Sequence, residues 1–461
     1  MGACLAASPL SAGVHPLSSP SAAFSWPPHP AHLSTRRRVA RRSRLSAVTV
    51  ADLLNDVLSH RERERLGAGA DEGQQDVDRE PGRLPALPES YEFGEVVDRE
   101  ALLRRNVDDG IVAVVSHREA ESIVDSYHSL DGPSEVSVTV DLGLREMRLL
   151  LSEEGVALLD HPDRILASWE ELGDIVDRGR KGRGGCYELV GDGEHKPQRV
   201  ASISESTGRQ AALIPPLTDN GAPTMLLAGF AMHRVVSDSS ASPASKRRSS
   251  PADDPLATAR DRKRRKDRED RQKRRTRGRT RPSDDGSMEP WKDTMRKLES
   301  LGPGGVMGRV LDICTGLGYT AIAASREEGA PAVLTIELDE VSLDMCRRNP
   351  WSRELLTSDK ITMLRGDASE LITELPDESF SVVIHDPPAR ALCKEGDLFG
   401  EVFYSELYRV LRRGGRLFHY LGNPDGREGP SLYKGVMERL SQQGFWSIRK
   451  VPRAFGLVAR K

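Results

Sequence analysis

The spacing of apolar and polar residues predicts two folded regions along this chain. In residues 288–461, short apolar runs bounded by glycine, proline or charged residues alternate with stretches suited to helices. The predicted strands are at 310–313, 332–337, 361–364, 380–384 and within 409–421, followed by 445–450 and 454–459. Such alternation favours an α/β fold with a doubly wound parallel sheet, the Rossmann-like arrangement. We expect the last two strands to close the sheet as an antiparallel hairpin.

A second set of periodicities, in residues 91–236, predicts a smaller domain before the first one. Its expected strands are at 136–140, 145–151, 156–159, 186–190 and 199–203, with a short capped helix at 168–172. The strands at 186–190 and 199–203 are expected to pair across 191–193. We therefore predict a small α+β or mostly β domain, and its sequence carries no catalytic signature. Its apolar end finishes in His233 and Arg234. These two residues either reach the active site of the next domain or cap the domain junction.

The remaining segments are polar and predict no folded core. Residues 1–48 contain no Asp or Glu and are rich in Ser, Ala, Pro and Arg, which is typical of a transit peptide, more plastid-like than mitochondrial. A disordered basic tail is the alternative. Residues 49–90 are predicted to be a linker. Residues 237–287 form a strongly basic block with almost no apolar residues, which predicts a disordered insertion.

Charge and composition limit the partners of the chain. The basic block could contact RNA through phosphates, although it lacks aromatic residues that stack on bases. It could also be taken for a nuclear localisation signal, which conflicts with a transit peptide. The longest apolar runs fall well short of the ~20 residues of a membrane span, so no membrane partner is expected. The five cysteines show no CxxC spacing, so we expect neither a metal site nor a disulfide framework.

The first strand of the larger domain runs into a glycine-rich turn that is suited to binding a ligand. The spacing from Asp312 through Gly316 to Gly318 is D-x-x-x-G-x-G, which differs from the dinucleotide fingerprint G-x-G-x-x-G. Glycine lets the backbone approach a ligand closely, and amides at the start of the following helix favour electron-rich groups. Asp312 can either fix the turn or hold a charged part of the ligand.

Polar residues follow the next strands at the positions where open α/β sheets bind ligands. Glu337 ends the second strand about 20 residues after the glycine turn, the position of the carboxylate that accepts hydrogen bonds from ribose hydroxyls. A solvent-facing acid at a strand end is the alternative. Asp367 and Ala368 follow the third strand, and the fourth strand ends in His385-Asp386-Pro387-Pro388.

Taken together, these features resemble class I S-adenosylmethionine-dependent methyltransferases. The segments CTGLGYTA, NPWS, HDPP and LFHY, with PTML and MHR upstream, resemble an uncharacterised, largely archaeal family of predicted methyltransferases. In that family an N-terminal domain precedes the catalytic one, and MHR runs almost directly into a PW-containing helix, so the basic block would be an insertion at that junction. The resemblance implies S-adenosylmethionine as cofactor. The cofactor-binding residues that it implies are Asp312, Thr315, Gly316, Gly318, Tyr319, Glu337, Asp367 and Ala368, the last two at the adenine.

The segment after the fourth strand resembles the (N/D)PP(Y/F/W) motif of amino-methyltransferases. The resemblance implies that Asp386 and a backbone carbonyl accept hydrogen bonds from a nitrogen nucleophile, while Pro387 and Pro388 stiffen the loop. His385 either accepts a proton or makes a structural hydrogen bond. The fourth motif position is Ala389 rather than an aromatic residue, which leaves an RNA base, a protein or a small amine open as acceptor. The candidates for the missing aromatic platform are Phe399, Tyr404, His419 and Tyr420.

Two other functions stay open at this point. An aminopropyltransferase of the spermidine synthase type shares the fold, but its second acid, in a DxxD pattern, is absent from His385–Ala389. A non-catalytic protein that binds cofactor or RNA is the third possibility. Arg390 either meets an anionic substrate or is an exposed loop arginine. The sequence names neither the methyl acceptor nor the oligomeric state.

Overall fold

The computed structural model describes residues 94–130, 132–193, 196–216, 221–233, 290–388, 390–393 and 397–461. The predicted transit peptide, linker and basic block lie outside the described residues, as do Arg234 and Ala389.

The N-terminal part of the described chain forms antiparallel sheets with three helices. Its strands are β1 (Glu95–Val96), β2 (Ile111–Val115), β3 (Ser134–Val140), β4 (Arg145–Leu151), β5 (Gly155–Leu158), β6 (His161–Ser168), β7 (Tyr187–Val190), β8 (Gln198–Arg199), β9 (Ala201–Ile203), β10 (Gln210–Ile214), β11 (Thr224–Leu227) and β12 (Phe230–Ala231). Its helices are α1 (Arg99–Asp108), α2 (His117–His128) and α3 (Trp169–Arg180). The sheets have the orders β3-β4-β5-β6, β2-β7-β8 and β12-β11-β10-β9. This arrangement confirms the expected α+β class.

The predicted helix start at 168–172 shows how local sequence sets an element. The Ser168 side chain accepts a hydrogen bond from the Glu171 amide, and the Glu171 carboxylate accepts one from the Ser168 amide, which is a capping box. The helix continues to Arg180, well beyond the predicted segment. The predicted pairing of 186–190 with 199–203 is also only partly realised, because β7 pairs with β8 whereas β9 pairs with β10.

The C-terminal part forms a large sheet flanked by helices. Its strands are β13 (Val310–Ile313), β14 (Val333–Glu337), β15 (Ile361–Arg365), β16 (Phe380–His385), β17 (Leu411–Tyr420), β18 (Trp446–Val451) and β19 (Gly456–Arg460). Its helices are α4 (Pro290–Glu299), α5 (Tyr319–Ser325), α6 (Glu340–Arg348), α7 (Arg353–Thr357), α8 (Ala368–Glu374), α9 (Glu401–Val410) and α10 (Gly429–Gln442), with 3-10 turns at Pro350–Ser352, Arg390–Leu392 and Pro452–Ala454.

The strand order of this eight-stranded sheet is β1-β15-β14-β13-β16-β17-β19-β18. Strands β13 to β17 are parallel, and β19 and β18 add to β17 as the predicted antiparallel hairpin. The N-terminal part contributes one strand, because β1 pairs antiparallel with β15 at the edge. The doubly wound α/β prediction is confirmed.

The central strands are buried on both faces, as parallel strands covered by helices should be. Val310 and Val382 enter one hydrophobic cluster, whereas their neighbours Leu311 and Val383 enter another. Because successive side chains of a strand point to opposite faces, the two clusters lie on opposite sides of the sheet. The packed layers fix where each strand ends, and hence where the polar strand-end residues lie.

Direct bonds join the N-terminal part to the face of the C-terminal part that carries α5 and α6. Arg348 makes a bidentate ion pair with Glu188, with both N–O distances 2.6 Å and both side chains under 10% exposed. The Trp351 indole donates to the Leu142 carbonyl oxygen (3.1 Å), and the Tyr319 hydroxyl donates to the Pro223 carbonyl oxygen (2.9 Å). These buried bonds fix the position of the N-terminal sheets over the ends of the parallel strands.

Candidate active site

Two adjoining cavities lie at the carboxyl ends of the parallel strands. The larger has a volume of about 520 Å³ and the smaller about 60 Å³. They share wall residues from both parts of the chain, namely Met232, Cys314, Gly316 and Pro388. This is the edge of the sheet at which the sequence places its candidate ligand-binding residues.

The glycine turn between β13 and α5 forms the boundary of the two cavities. Gly316 and Gly318 have φ angles of 55° and 77°, in the left-handed region that disfavours other residues. A Cβ added to Gly318 would lie 2.5 Å from the Leu355 side chain, whereas one added to Gly316 would meet no protein atom within 4 Å. Gly318 is therefore required by packing, and Gly316 presents an open backbone to the cavities.

Glu337 connects the end of β14 to this turn. Its Oε2 accepts a hydrogen bond from the Gly316 amide (2.8 Å) and its Oε1 accepts one from the Asp339 amide (3.0 Å). The side chain lines the smaller cavity and is only 8% exposed. Burial raises the pKa of Glu337 to about 7, although the hydrogen bonds from the Asp339 and Gly316 amides oppose this shift. With the Leu338 amide these donors take at most three of the roughly four acceptor sites of a carboxylate, which leaves at least one for a ligand hydroxyl.

Asp312 lies behind the turn rather than on the cavity wall. It is fully buried, and its Oδ2 accepts a hydrogen bond from the Thr335 hydroxyl (2.7 Å). The Thr335 and Thr315 hydroxyls lie 2.7 Å apart, so the chain of contacts continues into the glycine turn. Burial raises the pKa of Asp312 to about 7, even though the threonine hydrogen bonds lower it. Of its two expected roles, these contacts favour fixing the turn, and Asp312 is not on the wall of either cavity, whereas Thr315 lines the larger one.

Tyr319 begins α5 and lines the larger cavity, as expected of a residue of the glycine turn. Its ring is almost fully buried, and its hydroxyl also accepts a hydrogen bond from the side-chain amide of Asn349 (3.0 Å). Asp367 and Ala368 line the smaller cavity beside Gly366. The Asp367 carboxylate caps α8 by accepting a hydrogen bond from the Ser369 backbone amide (2.7 Å).

The segment after β16 brings Asp386, Pro387 and Pro388 to the wall of the larger cavity, next to the glycine turn. The Pro388 carbonyl oxygen accepts a hydrogen bond from the Cys393 thiol, with 3.6 Å between sulfur and oxygen. The Asp386 side chain is 18% exposed. The expected acceptor-binding segment therefore lies beside the turn.

Lys297 on α4 is a functional candidate that the motif search missed. Its Nζ donates to Asp386 Oδ2 (2.5 Å), lies 3.1 Å from Asp293 Oδ2, and stands 4.9 Å from the centroid of the Tyr420 ring. Burial alone would lower the pKa of Lys297, but the Asp293 and Asp386 carboxylates raise it well above its usual range. The helical spacing of the sequence does indicate that Lys297 is buried, because it falls on the same helical face as the buried Thr294 and Leu298 of α4 and Leu301 just beyond it.

The structure corrects the expectation that His385 accepts a proton from the substrate. The ring is fully buried, and its Nε2 donates to the Leu398 carbonyl oxygen (2.9 Å). Burial lowers the pKa of His385 to about 4, so the imidazole is neutral near pH 7. It does not belong to the wall of either cavity described above. Of its two sequence interpretations, the structural hydrogen bond is the one observed.

Aromatic side chains reach the larger cavity from several elements. Phe399 and Tyr420 line it, whereas Tyr404 and His419 are fully buried and lie 3.0 Å apart in a hydrogen bond. Arg390 also lines this cavity, with its guanidinium 5.7 Å from the centroid of the Phe399 ring. Two of the four possible aromatic platforms are therefore in reach of an acceptor.

The N-terminal part supplies one wall of both cavities. Phe230, Met232 and His233 line the larger cavity, and Arg209 lines the smaller one. The His233 Nδ1 lies 2.9 Å from the Thr224 hydroxyl, and its enclosed position beside Lys297 lowers the pKa of His233 to about 3. His233 thus reaches the site, which was one of its two expected positions. Phe230 is 43% exposed and adds an aromatic surface that the sequence did not indicate.

Within the described residues, no group of His, Cys, Asp and Glu side chains is arranged to hold a metal ion. None of the helices that the structure describes has the length and apolarity needed to cross a membrane.

The fold and the site define a class of domain. Residues 295–424 match the family profile described as methyltransferase small domain. The glycine turn, the strand-end carboxylate and the doubly wound sheet agree with that match. The C-terminal part therefore has the Rossmann-like fold of class I methyltransferases, and residues 295–424 within it are a methyltransferase small domain.

Individual relatives match parts of the same region. An uncharacterised protein of Methanocaldococcus jannaschii is 46% identical over 179 residues, which cover 38% of this chain and 59% of that protein. Polyamine aminopropyltransferase 2 of Streptomyces coelicolor is 29% identical over 160 residues, covering 34% of this chain and 26% of that protein. Release factor glutamine methyltransferase of Rhodopirellula baltica is 28% identical over 149 residues, covering 32% and 46% respectively. The chain thus spans about a quarter to three fifths of the length of these relatives.

Proposed function

We propose that this protein transfers a methyl group from S-adenosylmethionine to a nitrogen atom. The observation that carries the proposal is the position of Asp386-Pro387-Pro388 on the wall of the cavity that the glycine turn also lines. The resemblance of this segment to the amino-methyltransferase motif indicates that the methyl acceptor is a nitrogen atom. A carboxylate and backbone carbonyl oxygens accept hydrogen bonds from N–H groups.

The described residues fit the cofactor. Gly316 has an open backbone where a Cβ would meet no protein atom, and Glu337 offers at least one unused acceptor site beside it. Glu337 would hold the ribose hydroxyls, and the wall around Asp367 and Ala368 would hold the adenine. When bound, S-adenosylmethionine would supply a methyl group attached to a positively charged sulfur. The sulfur is the leaving group and keeps the electron pair of the broken C–S bond. Asp386 and a proline carbonyl would orient the nitrogen and stabilise the positive charge that develops on it.

The acceptor is proposed as a class: an RNA base, a protein or a small amine. The name of the Rhodopirellula relative specifies glutamine, whose side chain carries an amide nitrogen, which is in keeping with this class. Phe230, Phe399 and Tyr420 give the cavity aromatic surfaces on which a planar acceptor could stack.

Aminopropyl transfer is the second candidate, and it is favoured by the Streptomyces relative named polyamine aminopropyltransferase 2. The two reactions differ in cofactor, since aminopropyl transfer needs decarboxylated S-adenosylmethionine. Supplying the purified protein with each cofactor and an extract separates them. If the protein transferred a group only from the decarboxylated cofactor, aminopropyl transfer would replace methyl transfer as the proposed reaction.

Substitution of Asp386 tests the proposed reaction. We expect Asp386→Ala to lower transfer of label from [methyl-³H]S-adenosylmethionine to an extract fraction roughly 100-fold or more, since it removes the acceptor of the nitrogen's hydrogen bond. Lys297 keeps its pairing with Asp293, so the protein should fold and bind S-adenosylhomocysteine with unchanged affinity by calorimetry. Transfer that persists in the variant would remove Asp386 from the reaction, and separation of the labelled extract into RNA, protein and small molecules identifies the acceptor.

We further propose that residues 1–48 direct the protein to plastids, with mitochondria as the alternative, and that residues 237–287 provide RNA contact. The supporting observations are the acid-free, Ser- and Arg-rich composition of the first segment and the arginine and lysine runs of the second. A fluorescent fusion of residues 1–48 reports the compartment. Salt-dependent RNA binding that is lost with residues 237–287 tests the contact.

A further inference from the structure

The described wall of the larger cavity is not an acidic surface. Its fully charged side chains are Asp386, Arg390, Arg427 and Glu428. A site for a polycation would require carboxylates in excess of cations. Here the carboxylate beside the glycine turn, Asp386, already has a cation as its partner.

That cation is provided by the chain itself. Lys297 lies 2.5 Å from Asp386 and 3.1 Å from Asp293, and its side chain is only 3% exposed. Asp293 is 1% exposed, so this ion pair is shielded from water and weakly screened. The ammonium of Lys297 thus occupies a position on Asp386 that the ammonium group of a bound amine would otherwise take.

We propose that Lys297 is a positioning residue that selects an uncharged acceptor nitrogen and excludes polyamines and other cationic amines. This inference rests on the proposed methyl transfer and deepens it. Lys297 fixes one carboxylate oxygen of Asp386 and keeps the group ionised, so Asp386 acts as an acceptor of hydrogen bonds from a neutral N–H group. The charge of Lys297 offsets much of the attraction that Asp386 would otherwise exert on a second ammonium near the same carboxylate.

The selection agrees with what the reaction needs. A protonated amine has no lone pair, whereas a neutral nitrogen can form the N–C bond as the C–S bond breaks and its electron pair stays on sulfur. The nitrogen then carries the positive charge, which Asp386 stabilises, and it afterwards loses its proton to solvent. Asp386 stays ionised throughout because its pairing with Lys297 persists.

Calorimetric titration of spermidine into the full-length protein saturated with S-adenosylhomocysteine tests this inference. We expect wild-type protein to bind spermidine no tighter than about 1 mM. Lys297→Met has nearly the same length without the charge and removes the cation that lies between Asp386 and Asp293, so it should bind spermidine roughly tenfold tighter or more. The matched control Lys292→Met makes the same change on α4 at a residue outside the wall of either cavity, and it should behave as wild type.

Micromolar binding of spermidine to the wild-type protein overturns the inference. So does a Lys297→Met variant that is folded by circular dichroism and binds spermidine no better than wild type. If that variant does not fold, the double variant Lys297→Met/Asp293→Asn, which removes the buried cation together with one of its two carboxylates, takes its place with the same expectation. None of these titrations needs methyl transfer, so a failure of the proposed function would show separately as absent label transfer.

Discussion

At the residue scale, Glu337 connects two parts of the cofactor cleft through one carboxylate. It accepts hydrogen bonds from the glycine turn and from the start of the segment that leads into α6, and it faces the smaller cavity. The pKa of this buried group is about 7 rather than its ordinary value of 4.5. A modest change in pH near neutrality therefore changes its charge.

This shift predicts pH-dependent cofactor affinity. Ribose hydroxyls donate to the ionised carboxylate, so binding to protonated Glu337 must release a proton. Affinity for S-adenosylhomocysteine should therefore be roughly tenfold weaker at pH 6 than at pH 8, measured by calorimetry. The sign follows from the raised pKa: in the ligand-free protein, the ionised form costs stability as pH rises through about 7, and ligand hydroxyls offset that cost.

The control for this prediction is Glu337→Gln, which keeps the shape of the side chain and cannot ionise. It should bind more weakly than wild type and show little change in affinity between pH 6 and pH 8. If the affinity of Glu337→Gln still changed with pH, another titrating group would be responsible. The buried Asp312, whose pKa is also about 7, would be the first candidate.

Sequence reasoning placed residues well where a strand end determines the position. Glu337 and Asp386 lie on the cavities as expected, because the ends of parallel strands meet at one edge of the sheet. It could not determine the direction of a side chain, which is why His385 faces the core instead of the acceptor. Lys297 was missed because its partner Asp386 is 89 residues away in sequence and a Lys–Asp pair on a helix usually faces solvent.

At the element scale, the turn Asn349–Ser352 links the glycine turn to the N-terminal part. The side-chain amide nitrogen of Asn349, Nδ2, donates to the Tyr319 hydroxyl (3.0 Å) and to Ser352 Oγ (2.7 Å). Ser352 Oγ in turn donates to the Leu317 carbonyl oxygen (2.7 Å). Trp351 completes the link through the Leu142 carbonyl oxygen. These polar atoms lie in residues that are at most 8% exposed. This gives the NPWS segment a physical role that the sequence left open.

Removing this link should weaken both stability and cofactor binding. We expect Asn349→Ala to lower the free energy of unfolding by about 1–3 kcal/mol, since the buried Tyr319 and Ser352 hydroxyls each lose one of their hydrogen bonds. S-adenosylhomocysteine should also bind less tightly, because Tyr319 and Leu317 belong to the turn that holds the ligand. Denaturant unfolding and calorimetry measure the two effects.

A neighbouring side chain provides the comparison. Thr357 on α7 is exposed, and its hydroxyl donates to the Arg353 carbonyl oxygen in the same helix (3.1 Å). Thr357→Ala should therefore change neither quantity appreciably. Equal effects of the two substitutions would argue against a special role for Asn349.

Some of the elements that the sequence failed to predict have little buried apolar surface. Helix α1 has no buried residue, so it lacks the apolar stripe by which a helix is recognised. Helix α2 and strand β2 were missed although they carry apolar residues that pack into the core. Strand β1 is two residues long and exposed. Its place at the sheet edge depends on pairing with β15, which local sequence does not encode. The buried strands β13, β14 and β16, in contrast, were predicted to within one residue at either end.

At the scale of the whole molecule, the N-terminal part closes the site. Without Phe230, Met232 and His233, one wall of the larger cavity would be missing. No catalytic motif was found in the sequence of the N-terminal part, and the structure gives the reason. This part lines the cavity with mainly apolar residues, and such residues do not form a recognisable catalytic motif.

The two ends of the chain on either side of the basic block lie beside the same residue. The His233 and Trp291 rings stand 5.2 Å and 6.2 Å from the Tyr319 ring, measured between centroids. We therefore expect that replacing residues 237–287 by a flexible Gly/Ser linker of about 10 residues, which spans roughly 17 Å, leaves the fold intact. Thermal unfolding and S-adenosylhomocysteine affinity should match those of the full-length protein. A clear loss of either would mean that the block contributes to the folded domain.

The common position of these ends has a consequence for catalysis in a crowded compartment. His233 and Tyr319 line the larger cavity, and residues 237–287 follow shortly after His233 in the sequence. Any molecule bound by the arginines and lysines of residues 237–287 would therefore stay near that cavity, at an effective concentration in the millimolar range. Weak, unspecific attraction could then give frequent encounters without tight affinity, and high salt would slow turnover while leaving the chemical step untouched.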